Sequence, residues 1–208
     1  MKKYVNIVPI FDNTQRKIVY GTLLEGTDDK RFAQTSFEWE IERQRIRRKK
    51  QTQGLSFPEH SHWDWNQKIE NAKKYPDVLT VFAIEYDGQI QGLMIVDHVL
   101  FHAKLPPDSG YPLLYIRYIE NAPHNQYSVP KLFSWIGLNL IRVAVQYSIS
   151  KMCEGRVGLH ALPQAEEFYS KCGMTPIFRD RQHEDLVYFE FTKNQAQLFL
   201  SNDFIASP

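Results

Sequence analysis

The sequence predicts a mixed α/β fold of the α+β kind, one mostly antiparallel sheet flanked by helices, and three observations carry that expectation. Residues 78–86, VLTVFAIEY, and 89–101, QIQGLMIVDHVLF, are β-branched and aromatic runs joined by Asp87-Gly88, a dipeptide that tight hairpins favour. With a third run at 113–119, LLYIRYI, beyond the Pro-rich loop KLPPDSGYP, they read as an antiparallel meander. Residues 128–151 read as a helix with a single narrow polar stripe, Asn139, Arg142, Gln146 and Ser150, so most of its circumference must be buried against a sheet. A strand at 156–161, RVGLHA, follows that helix. Strand, buried helix and further strand of one sheet form a βαβ crossover, which brings in a parallel pair.

The remaining elements follow in order. Residues 4–10 and 18–24 have strand character on either side of the turn-prone DNTQRK, as an edge strand or hairpin. Residues 36–50, SFEWEIERQRIRRKK, read as a helix with an acidic first half and a basic second half, matching its dipole. The stretch 56–76 starts as loop and becomes a helix ending before Pro76, with Ser61 or Asp64 as N-cap. In the long helix Ser128 caps and Pro130 sits in the first turn. A short helix is expected at 164–171, then strands near 175–179 and 186–192.

Composition bounds the rest. At 208 residues with 43% hydrophobic positions the chain can bury one substantial core, so residues 1–208 are expected to form a single domain. Lys and Arg number 25 against 24 Asp and Glu, a net charge of +1 that supplies no global field for polyanions or anionic membranes. The basic run Arg43–Lys50 is read as a solvated helix end, and a nucleic-acid partner is not expected; modification of a charged tRNA would rest on that run alone. Two cysteines, Cys153 and Cys172, make neither a disulfide framework nor a metal-ligand spacing. His60, His62 and Asp64 match no zinc motif, so no metal is expected. The apolar start is broken by Asn6 and Pro9, and no stretch reaches the length of a membrane span; a cytoplasmic protein is the expectation.

The order of elements, and the stretch GRVGLHALPQAEEFYSKCGM at 155–174 above all, resembles the GNAT superfamily of acyl-CoA-dependent N-acetyltransferases. FYSKCGM is similar to that superfamily's aromatic-Tyr-x-x-x-Gly element, and LLYIRYIENAPHNQ resembles its fourth strand and exit. The resemblance covers residues 78–192. It implies a parallel strand pair that splays apart, acetyl-CoA as co-substrate in the gap, and its pyrophosphate on the N-terminus of the long helix. Carried onto this chain, Tyr118, Ile119 and Asn121 line the pantetheine arm, and Lys131, Phe133, Ser134, Ile136 and Gly137 approach the phosphates. The family's Arg-Gly-x-Gly turn reads Ser134-Trp135-Ile136-Gly137 here, which keeps only the second glycine; Trp135 narrows the phosphate site unless its side chain turns away.

By the same resemblance, Tyr169 is the acid that protonates the departing thiolate, against an alternative in which it packs with Phe168 as core. Glu120, at the end of the fourth strand, and His124, on its exit loop, are the candidate bases; Glu120 can instead pair with Arg117 or Arg142. Arg156 and His160 share one face of their strand, which alternation does not identify as cleft or core. The expected reaction moves an acetyl group from acetyl-CoA to a small-molecule or peptide amine. The competing class is a GNAT-fold acyl-CoA-binding or regulatory module without turnover, motivated by Ser134 and Trp135. Oligomeric state is open, a homodimer included.

Overall fold

Asp87 and Gly88 both take positive φ, 53° and 75°, as a two-residue hairpin matched to strand twist requires. They join β3 (Leu79–Tyr86) to β4 (Gln89–His102) in the computed structural model, which describes residues 6–27, 31–52, 63–126 and 131–202. β5 (Pro112–Asn121) completes the meander. At the other side β1 (Asn6–Asp12) and β2 (Lys17–Glu25) form the N-terminal hairpin, and β2 pairs with β3. With the two-residue β6 (Phe133–Ser134), β7 (Val157–Ala161), β8 (Thr175–Asp180) and β9 (Leu186–Phe191), the nine-stranded sheet runs β6-β1-β2-β3-β4-β5-β7-β9-β8. Every neighbouring pair is antiparallel except β5–β7.

The continuous apolar run of β3 is explained by burial on both faces. Phe82 and Ile84 join the core under α3 (Ile136–Ser150), while Val81 and Ala83 join the core under α1 (Arg31–Thr52) and α2 (Trp65–Lys74). Asp64 caps α2, its carboxylate accepting from the Gln67 amide. Gly92 of β4 lets sheet and helix approach closely: a Cβ there would lie 2.5 Å from the Ile136 side chain. The short α4 (Glu166–Lys171) follows β7, and α5 (Lys193–Ser201) follows β9.

Three sequence expectations need correction. The long helix begins at Ile136, because the residues before it make β6, which pairs with β1, and the Leu132 carbonyl accepts from the Asn13 amide. The Ser128 cap and Pro130 lie outside the described residues, as do His60, His62 and Ser61. The helix α5 is absent from the sequence reading, and α1 starts at Arg31 rather than near 36. Among the described residues no helix is long and apolar enough to cross a membrane.

Candidate active site

β5 and β7 pair in parallel at only three positions, the last being Ile116 with Leu159. β5 continues to Asn121 with β4 as its partner, so residues 117–121 present a backbone edge that no described strand covers. The parting is assisted by a bulge. Ile95 faces Tyr118 and Val96 faces Ile116, leaving Arg117 as the extra residue of β5. Its guanidinium is anchored by the fully buried Asp97, at 3.1 Å from Nε and 2.5 Å from a terminal nitrogen.

The N-terminus of α3 stands at this opening. Trp135 occupies the cap position without a side-chain cap, and the first helical amide bond runs from Asn139 to the Trp135 carbonyl. The amides of Ile136, Gly137 and Leu138 thus have no partner within the helix. A Cβ on Gly137 would lie 3.3 Å from the Phe168 ring and 3.5 Å from the Asn121 side chain, which places β5, α3 and α4 around one point. Trp135 holds φ at 73°, the left-handed conformation that glycine adopts freely, and its ring packs on Phe11 of β1, centroids 5.3 Å apart.

α4 is a single short helix ended by Gly173 at φ 90°, and it aims Tyr169 inward. The ring lies 5.9 Å from Phe189 and 5.2 Å from Phe168. Burial, with Cys172 adding to it, holds the phenol well above its ordinary range, so it stays protonated. The Cys172 thiol is pushed up to about 12 by burial, and burial raises Cys153 too. Both are free and buried, and neither supplies a thiolate at neutral pH.

The predicted residues divide into separate groups. Glu120 is buried and accepts from one Arg43 nitrogen at 2.8 Å on both oxygens, from the Trp65 indole at 2.5 Å and from Gln126 at 3.3 Å. Its partner is therefore Arg43, not Arg117 or Arg142. Arg142 instead binds the carbonyls of Leu200 and Asn202. Arg43 also departs from the basic run read as a solvated helix end, since its side chain is 8% exposed. His124 contacts the Glu42 carboxylate at 3.1 Å and the Gln91 amide oxygen at 2.9 Å, so both ring nitrogens face acceptors. Tyr118 turns toward α2, beneath the Lys68 ammonium at 3.5 Å and against Trp63. Burial lowers the Lys68 pKa, with Glu120 and Asp64 opposing. Ile119 packs into the core under α3. Ser134 Oγ bonds the Asn13 side chain, the Phe133 amide donates to Asn125, and Lys131 is exposed.

The structure thus joins Asn121, Gly137 and α4, and sets Glu120 and His124 in networks reaching α1. Sequence reasoning missed Arg43, Lys68 and Trp65, which come from elements 50 or more positions away from Glu120, in the case of Arg43 and Trp65 by 77 and 55 residues.

No protein-family model matches the chain, and no curated protein is similar to it. Among solved structures it is similar to a putative acetyltransferase of the GNAT family from Desulfovibrio desulfuricans, at 12% identity over 83% of this chain and 99% of that one, TM-score 0.51. It is similar also to a bacterial toxin, at 12% identity over 71% and 84% of the two chains, TM-score 0.53. The toxin AtaT complexed with acetyl-methionyl-tRNAfMet matches at 15% identity over 64% and 81%, TM-score 0.47, and other structures of it hold the antitoxin AtaR or DNA. The expectation that excluded nucleic acid is corrected by this set: proteins similar to the chain hold tRNA, DNA and a protein partner. A balanced net charge is a sum over the whole surface and does not exclude a local binding patch. The nine-stranded sheet with helices on both faces, matched over 83% of this chain and 99% of the Desulfovibrio protein, gives the chain the fold of the GNAT acetyltransferases.

Proposed function

We propose that the protein is an acyl-CoA-dependent N-acetyltransferase that moves an acetyl group from acetyl-CoA to an amine. The observation that carries this reading is the edge of residues 117–121 that no described strand covers, opening beside the first-turn amides of α3, which have no partner within the helix. An extended amide-bearing arm lies along such an edge as an added strand would, and phosphates are held by helix N-terminal amides and their dipole. Trp135 is drawn onto Phe11, while Gly137 is bordered by Asn121 and Phe168. The lost glycine is therefore compatible with a backbone approach at Gly137.

In this reading the amine nitrogen attacks the thioester carbon, the carbon–sulfur bond breaks, and Tyr169 gives its proton to the departing thiolate. Burial keeps the phenol in the protonated form that an acid must start from. Glu120 and His124, whose polar atoms are already engaged, act as positioning residues that tie β5 and its exit to α1 and α2. The acceptor then enters as the free amine, the acylated nitrogen releases its proton to solvent, and the Tyr169 phenolate takes one back from solvent before the next turnover.

Calorimetric titration with acetyl-CoA, followed by assay against a panel of amines, tests the reading. One-site binding is expected, and Tyr169→Phe, which changes no core volume, should retain binding and lose on the order of 100-fold or more in kcat. Unchanged turnover removes Tyr169 as the acid. A second reading, a binding module on the same fold, is favoured by the engaged state of Glu120 and His124; it predicts acetyl-CoA binding with no transfer to any amine.

A further inference from the structure

We infer that His160, Asp180 and His183 form a binding site for one borderline divalent transition-metal ion of the zinc type, at the end of the sheet formed by β7, β9 and β8. The sequence shows no ligand spacing because the groups come from three places: the fourth residue of β7, the last of β8, and the turn Arg181–His183 that follows. Folding brings one ligand atom from each to within 4.8 Å of the others.

The geometry is near that of a metal shell before an ion is added. His160 Nε2 lies 3.2 Å and His183 Nδ1 lies 2.9 Å from the same oxygen, Asp180 Oδ2. Ligand atoms held about 2.1 Å from a tetrahedral zinc stand roughly 3.4 Å apart. Two edges of the tetrahedron are therefore almost formed. The two imidazoles are stacked, 4.0 Å between centroids and 9° between planes, so closing the third edge turns the His183 ring out of the stack. That side chain is 46% exposed and sits on a turn, which leaves it free to do so.

The surroundings meet the further requirements of a metal ligand. His160 Nδ1 is 2.6 Å from the Tyr115 hydroxyl, an oxygen that can accept as well as donate. An imidazole bound to a metal through Nε2 needs such an acceptor for its Nδ1 proton, to fix the tautomer and the ring. Tyr115 is itself clamped against Phe101, rings 4.0 Å apart and 15° from parallel. Asp180 Oδ1 accepts from the Gln182 amide at 2.9 Å, which orients Oδ2 toward the two imidazoles. Two imidazoles and one carboxylate suit zinc, cobalt or nickel over magnesium or calcium.

The test is calorimetric titration of Zn2+ into untagged full-length protein freed of metal with a chelator. Acyl-CoA is absent, so the outcome is independent of the transferase reading. One ion per chain is expected. His183→Ala, whose exposed ring supports no core, should retain the wild-type circular dichroism and weaken binding at least tenfold, while His102→Ala, another exposed histidine, should bind as the wild type does. Failure of the wild type to take up Zn2+, or equal affinity in His183→Ala, overturns the site.

Discussion

Trp135 carries a conflict between backbone and side chain at a single residue. Its φ of 73° lies in the left-handed region, which costs an L-residue roughly 1–2 kcal/mol and glycine almost nothing. The offset is the packing of its indole on Phe11, a pair of the kind worth about 0.5–1.5 kcal/mol beyond area burial. Separating the two contributions gives an expected reversal of the ordinary order of substitutions. Trp135→Ala loses the ring and keeps the strain, whereas Trp135→Gly loses the ring and relieves it. The glycine variant should therefore be the more stable of the two by about 1 kcal/mol, or roughly 2–4 °C in Tm for a chain of this size, measured by denaturant and thermal unfolding. Ordinarily glycine is the more destabilising choice, so an alanine variant more stable than the glycine one would show that the turn is unstrained.

At the scale of elements, α5 shows a local signal that decides a helix. Thr192 accepts from the Gln195 amide, and the Gln195 side chain returns to the Thr192 amide at 2.9 Å, a reciprocal capping box. Ala196 and Phe199 of this helix are buried, and Phe199 packs on Phe191 of β9. Thr192→Ala is expected to lower stability by about 1 kcal/mol, read from the urea midpoint at unchanged m-value. The pattern Thr-x-x-Gln ahead of an apolar run is a helix start legible in the sequence itself. Elements with a strong local pattern, the β3–β4 hairpin, β5 and β7, are read correctly because a turn dipeptide or alternation determines each, and of the two caps offered for α2 the structure uses Asp64. The start of α3 was not legible, because β6 is two residues long and its existence depends on β1, more than a hundred positions earlier. The same holds for the Arg43–Glu120 pair: nothing near either residue announces a partner 77 positions away, and breaking such a buried pair leaves an uncompensated charge.

Across the whole molecule, the sheet is covered by helices on both faces near its middle, and groups trapped between the layers link the fold to pH. Tyr169, on the inward side of α4, and Cys172, at that helix's C-terminal end, have pKa values raised by burial, the thiol from 9.0 up to about 12 and the phenol further. A raised value means that the folded state keeps its proton where the unfolded chain has lost it. The stabilisation is then complete below the unfolded value and is lost as pH rises toward the folded one. For Cys172 the loss begins near pH 9 and for Tyr169 near pH 10, the ordinary values of the two groups. Each group contributes a slope of about 1.4 kcal/mol per pH unit once its unfolded form has ionised. Unfolding free energy should therefore fall more steeply above pH 10 in the wild type than in Tyr169→Phe, where one titrating group is gone, and the two curves should run parallel below pH 9. Cys172→Ala supplies the second comparison, departing from the wild type about one pH unit earlier. Curves that stay parallel to pH 11 would mean that Tyr169 reaches solvent in the folded protein. A phenol that reaches solvent would still be able to give its proton to a thiolate, but burial would no longer be what keeps that proton in place.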